Sequence, residues 1–165
     1  MFVLKIYYHM LSIIKKCFYK FIYGRNINFG KKVQFRKGFS INIDSSQSNV
    51  IIGDNTFFNN YCTISCMSGV EIGKNTLFGE NVKIYDNNHI FNVANKTIKE
   101  QGYSSSKIKI GNNCWIANNV IILKGVNIGD NVVIAAGCII KEDIESNMIV
   151  KSNNELIKEK IIYRS

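Results

Sequence analysis

A chain of 165 residues and 18.8 kDa is of one-domain size and long enough to bury a core. Its net charge of +9 is localised: residues 1–43 carry nine Lys or Arg and no acid, whereas residues 44–165 carry twelve of each sign, which argues against a diffuse nucleic-acid footprint. Five scattered cysteines (Cys17, Cys62, Cys66, Cys114 and Cys138) argue against a disulfide framework or a cysteine-based zinc site, no window reaches the roughly 18–20 apolar residues of a membrane span, and no secretory signal is expected.

Residues 2–23 contain no glycine and read as a helix. At 100° per residue, Lys5, His9, Ser12, Lys15, Lys16 and Lys20 fall within one arc of about 140°, with apolar side chains around the rest. Residues 1–24 are therefore assigned as a basic amphipathic helix with two docking modes. It lies on an anionic membrane surface, with residues 1–43 making a peripheral contact, or its apolar face packs on the rest of the protein or on another subunit.

From residue 25 to about 150 a six-residue rhythm takes over. Apolar residues recur at Phe29, Phe35 and Ile41, at Ile52, Phe58 and Ile64, at Ile72, Phe78 and Ile84, and then at every sixth position from Ile110 to Ile140. The first member of each set is followed by glycine (Gly30, Gly53, Gly73, Gly111 and Gly129), and small or β-branched residues such as Thr56, Thr76, Cys114 and Val132 come four positions after it. Neither a helix nor an amphipathic strand has this period. Three hexads make an 18-residue coil of triangular section, with turns of Gly, Asn or Asp at its corners and branched side chains inside. Such coils stack as parallel strands roughly 4.8 Å apart.

The rhythm breaks once. Between Ile84 and Ile110 lie 26 residues where a regular step takes six, so residues from about 85 to 109 are read as an excursion. A long loop of this kind in a compact domain is commonly functional. It contains His89, one of only two histidines, and Phe91, Ile98 and Tyr103, which are expected to pack it against something. Residues 151–165 read as a charged tail or short helix, with Lys151, Lys158 and Lys160 near the last coil.

The segments G-E-N-V-K-I-Y-D-N-N-H (79–89), Q-G (101–102) and I-G-N-N-C-W-I-A-N-N-V-I-I-L-K-G-V-N-I-G-D-N-V-V-I-A-A-G (110–137) carry a resemblance. Residues from about 28 to 150 resemble a hexapeptide-repeat acyltransferase, and within it the O-acetyltransferases of sugars and surface polysaccharides. The resemblance implies an all-β solenoid, a left-handed parallel β-helix of about five coils, assembled as a homotrimer with active sites between neighbouring subunits. It implies acetyl-CoA as donor, no metal, and a sugar or capsular or lipopolysaccharide-type glycan precursor as acceptor. The location implied is cytoplasmic, or peripheral at the inner face of the cell membrane.

His89 matches the family's catalytic histidine in a D-x-x-H stretch; Asp86 either orients its imidazole or only makes the turn. Trp115, Ala117, Asn118, Ala136 and Lys141 match positions at the coenzyme A site, and Asn59, Asn60 and Tyr85 are assigned to the acceptor. Two departures stand out. Ala117 replaces the glycine of the usual W-I-G, and S-N-N-E (152–155) replaces a proline-containing tail, which leaves open which C-terminal lysine meets the 3′-phosphate. The chemistry is coherent: a sugar hydroxyl is a weak nucleophile, and an imidazole titrating near neutral pH can take its proton as it attacks a thioester.

N-acetylation of an amino sugar, or acylation of a serine-type acceptor, stays open on the same fold. The alternative of another class is a non-catalytic β-helix for membrane docking or structure, which the histidine-bearing excursion argues against. A three-histidine metal site finds only His9 and His89.

Overall fold

The computed structural model describes residues 2–152. Helix α1 (Phe2–Tyr23) leads through a short 3-10 turn into a stack of triangular coils. The first coil is β1 (Ile27–Phe29), β2 (Gln34–Phe35) and β3 (Ser40–Ile43); the second is β4 (Val50–Ile52), β5 (Phe57–Phe58) and β6 (Thr63–Cys66). The third is β7 (Val70–Ile72), β8 (Leu77–Phe78) and β9 (Lys83–Tyr85), followed by a hairpin of β10 (Asn87–His89) and β11 (Tyr103–Ser105). The fourth is β12 (Ile108–Ile110), β13 (Trp115–Ile116) and β14 (Ile121–Leu123). The fifth is β15 (Asn127–Ile128), β16 (Val133–Ile134) and β17 (Ile139–Ile140), and β18 (Ile149–Val150) belongs to a partial sixth.

Each coil gives one strand to each of three parallel sheets, ordered β1-β4-β7-β12-β15, β2-β5-β8-β13-β16-β18 and β3-β6-β9-β14-β17. Register survives the excursion, since Ile72 pairs with Ile52 on one side and with Ile110 on the other. Every hexad position from Ile52 to Ile140 is buried, and Phe58 stacks on Phe78 with ring centroids 4.4 Å apart. The small corner residues do more than fit. Thr56, Thr76, Cys62 and Cys114 each donate a hydrogen bond to a glycine carbonyl of the following coil, at 2.9–3.2 Å.

The glycines answer a different demand from the turn that the sequence reading gave them. Left-handed backbone comes two residues later, at Asn55, Asn75, Asn113 and Asn131 with φ of 54–57°. Asparagine tolerates that conformation better than other side-chain-bearing residues. Its amides also form a ladder along the corner, Asn113 Nδ2 donating to Asn131 Oδ1 at 2.9 Å and Asn131 Nδ2 to Asn147 Oδ1 at 3.0 Å. The glycines instead let coils touch through their backbones: a Cβ on Gly73 would stand 2.6 Å from the Gly111 carbonyl.

Helix α1 lies across the open end of the first coil, and its orientation corrects the idea that its apolar face packs on the prism. The face turned inward is centred on Ser12 and Tyr19, with Lys15 and Tyr23 beside them, while His9 and Lys20 of the polar arc stay exposed. Ser12 Oγ accepts from the Phe35 N–H (2.8 Å) and donates to the Phe35 carbonyl (3.1 Å). Tyr19 Oη accepts from the Ile41 N–H (3.2 Å), and Lys15, Lys20 and Tyr23 donate to the carbonyls of Phe39, Ile27 and Ile41. The reason is backbone accounting. The outer edge of the first coil has no preceding coil to pair with, and unpaired buried N–H and C=O groups are costly. Burial pulls the Lys15 ammonium below its ordinary range. The expected C-terminal segment lies outside the described residues apart from Lys151 and Ser152.

Candidate active site

The chain leaves the prism at the end of β9. Tyr85 is still in register with Ser65 and Leu123, and Asp86, the next residue, is fully buried. Its carboxylate accepts three backbone N–H bonds, from Met67 on Oδ1 and from Ser68 and Gly69 on Oδ2, all at 2.7 Å. Asn87 Nδ2 adds a fourth at 3.1 Å. Successive N–H groups of the β6–β7 corner thus form a nest for this one anion. The Asp86 carbonyl accepts from the Ser106 N–H at 2.9 Å, so the outgoing and returning chain are tied together at this residue.

Three residues on, His89 sits in β10 opposite Tyr103 of β11, with ring centroids 4.3 Å apart. Ser68 Oγ bonds Ser105 Oγ at 2.7 Å and the Lys124 ammonium reaches the Ser104 hydroxyl, so the hairpin is fastened to two neighbouring turns. The imidazole is exposed, and among the described residues no hydrogen bond reaches it. A direct pair between Asp86 and His89 is therefore not formed, because every bond of that carboxylate lies within the turn. The excursion beyond is ordered too: the Gln101 side chain spans it, accepting from the Val93 N–H at 2.9 Å and donating to the Lys96 carbonyl at 3.1 Å. Phe91, Ile98 and Tyr103, expected to pack, are each about half exposed within this chain.

The residues assigned to coenzyme A gather elsewhere. Trp115 projects from β13 between Leu77 and Val133 and is half exposed. A groove of about 440 Å³ runs beside it, lined by Trp115, Ala117, Asn118, Val133, Ala136 and Lys151 among others. Four of the five assigned positions thus share one surface. Lys141 lies in an adjoining groove with Ser152, and Lys151 lines both. Lys158 and Lys160 lie outside the described residues.

The acceptor residues divide. Asn60 Nδ2 donates to Glu80 (2.8 Å), whose N–H donates to Asn118 Oδ1 (2.8 Å), so Asn60 stands on the same corner as the cofactor residues. Asn59 uses its side-chain oxygen on the Asn60 N–H at 2.9 Å. Tyr85 stands instead at the root of the His89 hairpin. No residue of that hairpin lines the Trp115 groove, since its root is in the third sheet and Trp115 is in the second. One chain therefore presents two half-sites on separate surfaces. A larger groove on the first sheet, lined by Glu71, Lys109, Asn127 and Asp143 among others, includes none of the assigned residues.

Sequence reasoning did not assign Val133, Ile149 or Lys151 to the groove. Val133 was within reach, because it follows Trp115 by 18 residues, one full coil. Ile149 follows Val133 by only 16, a shortened coil that breaks the period.

Comparison with known proteins agrees with this architecture. The family described as Bacterial transferase hexapeptide (six repeats) matches residues 107–142, nearly all of the fourth and fifth coils. Galactoside O-acetyltransferase of Escherichia coli (strain K12) is 41% identical over 102 residues, which is 62% of this chain and 49% of that protein. WbbJ of the same strain, named provisionally as a lipopolysaccharide biosynthesis O-acetyl transferase, is 31% identical over 133 residues, 76% of this chain and 67% of that protein. A solved galactoside acetyltransferase in complex with coenzyme A aligns with a TM-score of 0.69 at 32% identity, covering 85% of this chain and 68% of that one. The coils are those of a left-handed parallel β-helix. The chain belongs to the hexapeptide-repeat transferases, and it spans about half the length of the galactoside O-acetyltransferase and about two thirds of WbbJ.

Proposed function

We propose that this protein moves the acetyl group of acetyl-CoA to a hydroxyl of a sugar or surface-glycan precursor, as a homotrimer, with His89 as general base. The observation that carries the reading is the division of the site. An exposed imidazole on an anchored hairpin and a groove beside Trp115 stand on different sheets of one chain. A site assembled between neighbouring copies needs that arrangement. The relatives named as O-acetyltransferases, and the solved relative with coenzyme A, support the reaction class.

In this reading the small side chains Ala117 and Ala136 leave room for the pantetheine arm, Trp115 flanks the thioester, and Lys151 with Lys141 offers positive charge toward the phosphates. Asn59, Asn60 and Tyr85 face the acceptor. His89 takes the proton of the acceptor hydroxyl as its oxygen attacks the thioester carbon. The tetrahedral intermediate then collapses with cleavage of the C–S bond, and the proton passes from the imidazolium to the departing thiolate. General-base help of this kind contributes roughly 10²–10⁴ in rate, with a further gain from holding both reactants in place. Asp86 is a positioning residue, fixing the direction in which the hairpin leaves the prism. The donor is a cytoplasmic thioester, which gives the protein a cytoplasmic site of action.

The test is His89→Ala, with assembly confirmed by light scattering, measured by thiol release from acetyl-CoA against a panel of nucleotide sugars, glycans and amino sugars. A fall of about 10²–10⁴ on a hydroxyl acceptor is expected. A rate near that of the unsubstituted protein would overturn the base assignment, and transfer only to amines would overturn the acceptor class.

A further inference from the structure

The inward placement of Ser12, Lys15 and Tyr19 leaves an unusual surface outside. Among the described side chains, the face of α1 opposite Ser12 and Tyr19 carries the apolar residues Val3, Met10, Ile14, Phe18 and Phe21, which are 56–90% exposed. A helix of 22 residues is about 33 Å long, so this is one continuous apolar face. Around it, at the same end of the prism, stand the exposed cations Lys20, Arg25, Lys31, Lys32 and Lys37, and no acid precedes Asp44.

We infer that this end of the molecule docks on a bilayer surface rich in anionic lipid, with α1 lying in the interface and its outward face among the acyl chains. Charge decides the occupant. A second copy of this chain seated on the face would bring a second uncompensated set of cations against the first, whereas anionic headgroups complement the rim. An exposed apolar helix face with basic flanks is the pattern of an interfacial helix. No helix among the described residues is long and apolar enough to cross a membrane. The inference rests on the geometry of α1 and not on the acetyl-transfer reading.

The experiment is co-sedimentation of the full chain with vesicles of phosphatidylcholine alone, or with about one third phosphatidylglycerol. Strong binding to the mixed vesicles, weakened by added salt, is expected. The double variant Ile14→Asp, Phe21→Asp alters two outward positions, 62% and 90% exposed. It is expected to keep the melting temperature and the transfer rate on a soluble acceptor, and to lower vesicle partitioning by about 100-fold. Absence of wild-type binding, or undiminished binding by the double variant, overturns the inference. A solution mass that falls in the double variant, with no vesicle binding by the wild type, assigns the face to a second copy and overturns it equally.

Discussion

The role of Asp86 can be separated from that of His89 by a single nitrogen. Asp86→Asn preserves shape but leaves one carbonyl oxygen where there were two anionic ones. That oxygen is placed to keep the bonds from Ser68 and Gly69, while the new amide NH₂ meets the Met67 N–H and the Asn87 Nδ2 donor to donor. A hydrogen bond to a charged group contributes about 1.5–3 kcal/mol, and an orphaned buried N–H adds its own desolvation penalty. Loss of the charge and of the two bonds on Oδ1, the longer one from Asn87 being the weaker, therefore costs about 3 kcal/mol, and Asp86→Ala, which loses all of them, costs more. For a chain of this size the asparagine variant should melt about 6–12 °C lower at fixed protein concentration. Circular dichroism melts, run beside initial rates across pH, read both quantities. The reasoning requires stability and rate to fall together with an unchanged pH profile. If the asparagine variant melts within about 2 °C of wild type and its pH profile moves, the carboxylate acts on the imidazole and the nest is incidental.

Two further outcomes follow from the groove and from the thiols. Ala136→Phe fills the surface beside Trp115 and is expected to raise KM for acetyl-CoA about 10-fold with little change in kcat or melting temperature; an unchanged KM places the cofactor elsewhere. Burial pushes the Cys62 thiol up to about 11, and burial together with the Asp86 carboxylate pushes Cys66 up to about 12. An unfolded thiol ionises near 8.5, so between roughly pH 9 and those values only the unfolded state has released its protons. Stability should therefore be unaffected by these groups below pH 8 and decline as pH rises from 9 to 11. A urea midpoint that falls less steeply in Cys62→Ala, Cys66→Ala agrees; an identical slope refutes it.

The fold was legible because its constraint is periodic. A triangular coil buries a large side chain at the same place on every face, so Ile110 to Ile140 announces itself at every sixth position. What the rhythm could not say was why glycine follows the leading residue, since a turn and a close approach both ask for glycine. From the second coil on, the structure separates them at this corner, giving the left-handed conformation to the Asn two residues later and the tight backbone contact to the Gly, while Gly38, Gly125 and Gly137 elsewhere are themselves left-handed. The site was legible as a list of residues and not as a place. His89 and Trp115 are 26 positions apart and on different sheets, and no pattern within one chain states how two copies meet. Asp86 lay between: its place three residues before His89 allowed a pair or a turn equally, and its actual partners, the amides of residues 67–69, lie one coil back and carry no side-chain signal.

Helix α1 shows the limit of amphipathicity as a guide. A helical wheel distinguishes two faces, and the usual inference puts the apolar one inside because the protein interior is apolar. That premise fails at the end of a parallel β-helix, where the surface to be covered is a row of backbone donors and acceptors. Covering it with Leu and Ile would strand the Phe35 and Ile41 N–H groups, at about 1–3 kcal/mol each. Ser12 and Tyr19 satisfy them, and both residues are buried. The apolar side chains must then face outward. Their exposure is a consequence of how the first coil is closed, and the basic residues gathered around them give that surface a use.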